Sequence, residues 1–200
     1  MARQRLGVAL LIPAPVSTEM NGLRRALGDD TLDRIPAHIT LVPPVNVNDA
    51  DLADALRVLR EAAAASGPLR LELGPPTTFH PVTPVVYLAV SGDLEGLHEL
   101  RERVFRPPLS RPLSRTFVPH ATLADEMDPA RIPAALAVLA GYRAEVTVER
   151  VHVLREGRGR VWRPVADAPF APPAVIGRGG LPVEITETEL VDPLAQRLLP

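Results

Sequence analysis

Cysteine is absent from all 200 residues, which excludes disulfides and thiolate-held metals. Lysine is absent too, and all 22 basic residues are arginine, a compositional bias that carries no mechanistic meaning by itself. Aromatic residues make up only 4% of the chain, so each of them is needed first for packing. Positive charge is not in excess: the net charge is −2 and the pI about 6.2. That excludes a polycationic coat for nucleic acid, and a nucleotide partner must be gripped locally. No apolar run approaches the ~20 residues of a membrane helix. The apolar run Leu6 to Ile12 is soon followed by Pro13 and Pro15 with no clear cleavage site. It reads as a buried first strand rather than a signal sequence, which places the protein in the cytoplasm with no membrane partner.

What the chain does have is a repeated tetrapeptide. His38-Ile39-Thr40-Leu41 and His120-Ala121-Thr122-Leu123 both read His-apolar-Thr-apolar, 82 residues apart. With 46% hydrophobic residues and eleven threonines, two such matches among five histidines arise by chance roughly once in a thousand chains of this composition, so the pair is far more specific than either half. On a strand, alternate side chains share a face. His38 and Thr40 would then stand on one face with Ile39 and Leu41 beneath, and His120 and Thr122 likewise. Two such strands side by side would line a cleft with two imidazoles and two hydroxyls, a set suited to acid–base chemistry on a phosphate.

Around the motifs, strands and helices alternate. Ser17 is placed to cap a helix carrying Met20, Leu23 and Leu27. The first motif strand is expected to run to about Val42 and stop at Pro43-Pro44, because proline donates nothing to a ladder. Asn48 should cap a helix with Leu52, Leu56, Leu59 and Ala63 facing inward, stopped by Gly67-Pro68. Leu69, Leu71 and Leu73 alternate with Arg70 and Glu72 as a half-buried strand, and Val85 to Val90 reads as a central one. Asp93 caps a helix carrying Leu94, Leu97, Leu100 and Val104. The second motif strand is expected over Thr116 to Leu123. Asp128-Pro129 opens a helix carrying Ile132, Leu136 and Leu139 that ends at Gly141. Val146 to Leu154 and Arg160 to Val165 predict a closing hairpin. Residues 1–167 therefore read as one domain of two related lobes, and 168–200 as a Pro/Gly-rich linker and C-terminal extension, with one more strand over 181–188 and a short helix or tail over 190–199.

These paired motifs, with Pro36 two residues before one and Pro119 directly before the other, resemble the two-histidine (2H) phosphoesterase superfamily, in its bacterial RNA 2′-5′ ligase-like and RNA 2′,3′-cyclic phosphodiesterase-like branch. The resemblance spans roughly Arg5 to Val165. It implies an α+β fold, bilobal and pseudo-symmetric, with antiparallel sheets lining a central groove and helices outside. It also implies hydrolysis of cyclic or 2′-linked phosphodiesters without a metal or other cofactor. His38 and His120 would be general acid and base, and Thr40 and Thr122 donors to the non-bridging phosphate oxygens. Many relatives place an arginine or other polar residue soon after the second motif, whereas Ala124, Asp125 and Glu126 follow here. That acidic pair would repel a long oligonucleotide, so the expected partner is a small cyclic nucleotide or short RNA end, with no obligate protein partner.

Opening a 2′,3′-cyclic phosphate needs a water deprotonated on one side and a leaving ribose oxygen protonated on the other. Histidine serves both tasks near neutrality. The expectation from sequence is His120 as base and His38 as acid, the near symmetry of the motifs leaving the reverse open. Glu99–Arg103 and Glu102–Arg106 stand at i,i+4, so the helical arginines, Arg101 among them, read as surface partners. Arg111 and Arg115 have no such partners and are the candidates for phosphate or nucleotide contact. Phe79, Tyr87 and Phe117 are candidates for base stacking, although core packing is the commoner use of each, and Phe117 is set beside Arg111 and Arg115 as an expected substrate contact. His80, His98 and His152 read as surface or structural residues and supply no third metal ligand. Two alternatives stand beside hydrolysis: an RNA 2′-5′ ligase running the related reaction in reverse, and a non-catalytic nucleotide- or RNA-binding module that keeps the cleft.

Overall fold

Alternation of buried and exposed residues sets out the strands. Leu69, Leu71 and Leu73 are buried while Arg70 is exposed and Glu72 half-buried. The computed structural model describes residues 2–172. In chain order the elements are β1 (Arg3–Leu11), α1 (Val16–Leu27), β2 (His38–Asn48), α2 (Leu52–Ala64), β3 (Leu69–Thr78), β4 (Val86–Gly92), α3 (Leu94–Val104), β5 (His120–Ala124), α4 (Ile132–Val138), β6 (Ala144–Val148), β7 (Arg150–Glu156) and β8 (Trp162–Pro169). The strands form one antiparallel sheet ordered β6-β3-β4-β5-β2-β1-β7-β8.

The expected α+β architecture of two lobes is realised as two four-stranded halves joined where β2 meets β5. One half, β2-β1-β7-β8, comes from the two ends of the described chain, and the other, β6-β3-β4-β5, from its middle. Each half contributes one motif strand to the seam. The helices pack outside: α1 lies against β5 and β6, α4 against β3, α2 against β7 and β8, and α3 against α2, β2 and β3. Ile39 and Leu41 of β2 and Ala121 and Leu123 of β5 are fully buried in the core. Each large apolar side chain so placed contributes roughly 1.5–3 kcal/mol, which makes the seam between the halves a rigid base.

Local signals account for most of the boundaries. Asp93 accepts from the Gly96 amide at 3.0 Å, capping α3, and Asp128 accepts from Ala130 at 3.0 Å ahead of α4. Other boundaries differ from expectation. β2 continues through Pro43-Pro44 to Asn48, because the register with β1 shifts between Val8–Val42 and Leu6–Val45, and the two prolines fall in the irregularity. Asn48 closes that strand and bonds the Asp51 carboxylate at 2.8 Å instead of capping α2. Helix α1 begins at Val16 behind Pro15, with no side-chain cap from Ser17. The segment Thr116 to Pro119 lies outside the ladder, so β5 is only five residues long.

The expected strand over Val146 to Leu154 is two strands, β6 and β7, in opposite halves of the sheet. The inward residues switch from even (Val146, Val148) to odd (Val151, Val153) at Glu149, where the chain crosses over. β8 runs to Pro169 and Phe170 is buried beyond it. The strand and helix expected over 181–199 lie outside the described residues.

Candidate active site

The register of the seam pairs Ile39 with Ala121 in antiparallel sense. Opposed residues in such a pair point to the same face, so His38 stands across from Thr122 and Thr40 across from His120. All four face away from the apolar core, half-buried, and all four line one groove of about 1090 Å³. The two motifs thus meet head to tail, each histidine beside the other's threonine.

Both imidazoles are held in the same way. The Nδ1 of His38 bonds the Pro36 carbonyl at 2.8 Å, and the Nδ1 of His120 bonds the Val118 carbonyl at 2.7 Å. A carbonyl only accepts, so each Nδ1 carries the proton, and the free Nε2 of each ring is the nitrogen left for chemistry. The prolines noted in the sequence sit beside these acceptors: Pro36 supplies one, and Pro119 follows Val118, which supplies the other.

The two rings differ in their surroundings. Burial pushes the His38 pKa down to about 4, with the Arg24 and His120 charges adding to the effect and the bond to Pro36 opposing it. His120 is also lowered, by burial, against the bond to Val118. Its ring meets Phe79 edge-on at 5.1 Å and Tyr87 at 5.3 Å, and those two aromatics stack on each other at 4.1 Å.

Behind His38, the guanidinium of Arg24 is buried and bonds Asp29 at 2.8 Å, Thr31 at 3.2 Å and the Ile35 carbonyl at 3.0 Å. It ties down the loop that presents Pro36 to His38. Beside this loop the groove is lined by Arg160, in the turn between β7 and β8, and by Trp162, the first residue of β8, whose amide bonds the Arg34 carbonyl at 2.7 Å.

Arg111, Arg115 and Phe117, the expected substrate contacts, all line the same groove. Arg111 and Arg115 are exposed; Arg111 bonds only the Pro112 carbonyl at 3.3 Å, and Arg115 has no hydrogen bond or ion pair among the described residues. Phe117 is half-buried, its ring edge-on to His98 at 5.4 Å and under the Arg101 guanidinium at 5.1 Å. Phe79 also lines the groove, whereas Tyr87 is buried behind it. His80 is exposed and outside the groove, and His152 sits on β7 across from Ala9 and Asp167. Among the described residues, no three His, Cys, Asp or Glu side chains cluster so as to hold a metal ion, and no helix is long and apolar enough to cross a membrane.

Reading the sequence missed two arginines. Arg101 was expected at the surface, yet it is buried: it bonds Glu102 at 2.8 Å, while Arg103 takes Glu99 at 2.7 Å and Arg106 turns to the Arg103 carbonyl and Glu61. The signal was the spacing. Arg101 follows Leu97 by four and precedes Val104 by three, and Arg24 follows Met20 by four, so both occupy the buried stripe of their helices.

A curled antiparallel sheet with a His-x-Thr pair from each half meeting across one groove defines a two-histidine phosphoesterase fold and site. The model of the 2′-5′ RNA ligase superfamily matches residues 12–160, and the chain belongs to that superfamily. A Bacillus pumilus protein bearing the name "Putative phosphoesterase" is 29% identical over 160 residues, 79% of this chain and 92% of its own length. A Halalkalibacterium halodurans protein of like name is 30% identical over 121 residues, covering 60% of this chain and 70% of that one. Escherichia coli LigT complexed with 3′-AMP has the same fold, with a TM-score of 0.62 at 18% identity over 84% of this chain and 99% of that one. The Thermus thermophilus protein TT0787 superposes with a TM-score of 0.55 at 21% identity, covering 83% and 97%.

Proposed function

We propose that this protein is a metal-independent phosphodiesterase that hydrolyses 2′,3′-cyclic phosphates on nucleotides or short RNA ends. The observation that carries the reading is the head-to-tail pairing of the motifs, with both Nδ1 atoms held by carbonyls and both Nε2 atoms left for the groove. In this reading one neutral imidazole takes a proton from water as the oxygen attacks phosphorus. The bond from phosphorus to the 2′ or 3′ oxygen breaks, and the other, protonated imidazole gives its proton to that leaving oxygen. Thr40 and Thr122 donate to the non-bridging oxygens, where charge gathers in the transition state. The four groups supply base, acid and oxyanion donors without calling on a metal. The phosphoesterase names of the relatives and the 3′-AMP bound by the LigT structure are consistent with this chemistry.

We assign the two roles in the order that the symmetry of the motifs left open. The ring with the lower pKa stays unprotonated and makes the base, so His38 is assigned to water and His120, less strongly shifted, to the leaving oxygen. Phe79, packed against His120 with Tyr87 buried behind it, then forms the wall on the sugar side.

The test is turnover of a 2′,3′-cyclic nucleotide in EDTA by the wild type, His38→Ala and His120→Ala. Each variant should lose about 10²–10⁴-fold in kcat. Full activity in either variant, or a wild type that binds the nucleotide and never turns it over, overturns the reading.

A further inference from the structure

Arg101 lines the groove from a buried position that the hydrolytic step leaves unexplained. It is only 6% exposed, and its Nε is buried without a hydrogen-bond partner. A guanidinium has five N–H donors, and the bond to Glu102 is the only hydrogen bond it makes among the described residues. Its flat face is covered, lying 4.0 Å from the Phe105 ring centre and 5.1 Å from that of Phe117. A buried Nε–H with no partner is costly, and the donors that Glu102 leaves unused belong to a side chain that lines the groove. The two aromatic faces hold the fork in one orientation, so it is a preorganised receptor for an oxyanion.

The position follows from the topology. Arg101 touches Phe117, which lies three residues before His120, a chain distance of at most about 10 Å. Arg111 and Arg115 are on the loop entering β5 at that same end. At the other end of β5 stand Asp125 and Glu126, and because β2 runs antiparallel, His38 is at that acidic end. The unpaired charges of the groove are therefore polarised along the seam: Arg111 and Arg115 lie beyond His120, and Asp125 and Glu126 beyond His38, where Arg34 and Arg160 also line the groove but are paired with Asp30 and Glu156.

In-line attack on a cyclic phosphate puts water and the leaving ribose oxygen on opposite sides of phosphorus. With His38 serving water and His120 serving the leaving oxygen, the nucleoside extends past His120, toward Phe117 and the arginines. The next anionic group on that side of a nucleotide is its 5′-phosphate.

We propose that Arg101, with Arg111 and Arg115, forms a second anion subsite that binds the phosphate on the 5′ side of the nucleotide carrying the cyclic phosphate. The inference rests on the phosphodiesterase reading and narrows its substrate class to cyclic-phosphate ends that bear at least one further phosphate.

Two measurements on the full chain separate the inference from the reading beneath it. The first compares kcat/KM for adenosine 2′,3′-cyclic phosphate with and without a 5′-phosphate. The wild type should prefer the phosphorylated substrate by about tenfold or more, in line with a charge-assisted contact worth about 1.5–3 kcal/mol. In Arg101→Met, which keeps the apolar stem between the two rings, the ratio should fall toward one. Arg115→Ala, at an exposed position free of packing, should lower the ratio by a smaller factor, and it carries the test if the Arg101 variant melts early. The second measurement is calorimetric binding of adenosine 3′,5′-bisphosphate against adenosine 3′-monophosphate, which needs no turnover. The bisphosphate should bind more tightly to the wild type, and Arg101→Met should lose that advantage. If the wild type turns over neither cyclic substrate, the phosphodiesterase reading fails while the binding ratio still decides the subsite. A wild type indifferent to the 5′-phosphate, or an Arg101→Met variant that keeps the preference in both measurements, overturns the subsite.

Discussion

A histidine held near a pKa of about 4, as His38 is by burial, is mostly neutral at any pH above that value and is ready to accept a proton. His120 has to arrive protonated, and burial lowers its pKa below the ordinary 6.5 as well. In the proposed reaction the active form of the free enzyme has neutral His38 and charged His120, so it would be most populated between the two pKa values. As pH rises through the pKa of His120 the acid is lost, and as pH falls through about 4 the base is lost. The profile of kcat/KM, which reports the free enzyme, should therefore be bell-shaped with its maximum on the acidic side of neutrality. A maximum above pH 7 would contradict the assignment of the two roles. At this scale the sequence was most readable, because strand alternation alone put His38, Thr40, His120 and Thr122 on one face. Which of the two rings is held at the lower pKa was not readable, since that depends on how deeply each ring is buried and on Arg24 behind His38.

Elements were legible where one residue decides an ending and illegible where packing does. Asp93 and Asp128 bond the first free amides of their helices, and each reads directly from its side chain. Pro43-Pro44 read as a stop, yet a shift of register against β1 absorbs them and the strand continues. The crossing at Glu149 left a trace in the parity of Val146 and Val148 against Val151 and Val153, but without the partner strands nothing marks it as a change of sheet half. Arg24 and Arg101 are the most instructive misses. A charge in an apolar stripe is legible as an anomaly, whereas what it reaches is decided by other elements.

The loop from Asp29 to Pro36 shows what such an anomaly does. Arg24 bonds Asp29, Thr31 and the Ile35 carbonyl, and the next carbonyl, that of Pro36, fixes the His38 tautomer. Arg24 is thus a positioning residue, and its charge, after burial, helps to hold the His38 pKa down. Removing Arg24 alone would strand a buried carboxylate, at about 3–5 kcal/mol, so the informative variant is Arg24→Gln with Asp29→Asn. It should lower kcat by roughly 10- to 100-fold, a scale set by misplaced catalytic groups, and move the acidic limb of the pH profile upward. A purely structural role would lower the melting temperature and leave that limb where it is.

At the scale of the whole molecule, the halves meet in a groove whose two ends carry opposite charge. Asp125 and Glu126 are exposed at the His38 end, and Glu126 is held at φ 54°, a left-handed conformation uncommon for a side chain of its kind. A terminal cyclic phosphate sends no chain past His38, so the acidic end does not oppose it. An internal phosphodiester must continue in both directions, and its second strand segment would pass two carboxylates. In the proposed reaction the groove would therefore favour chain ends over internal linkages by repulsion at one end as much as by attraction at the other. Asp125→Asn with Glu126→Asn removes both charges, and asparagine tolerates the left-handed backbone at position 126. In this variant the ratio of kcat/KM for an internal 2′,5′-linked oligoadenylate to that for a cyclic-phosphate end should rise by roughly 3- to 10-fold at low salt, as expected for two exposed charges each worth under ~1 kcal/mol. The gain should shrink as ionic strength rises toward 0.5 M, where the screening length is only a few ångströms. A ratio that does not move at low salt would assign the preference for ends to the shape of the groove and not to its charge.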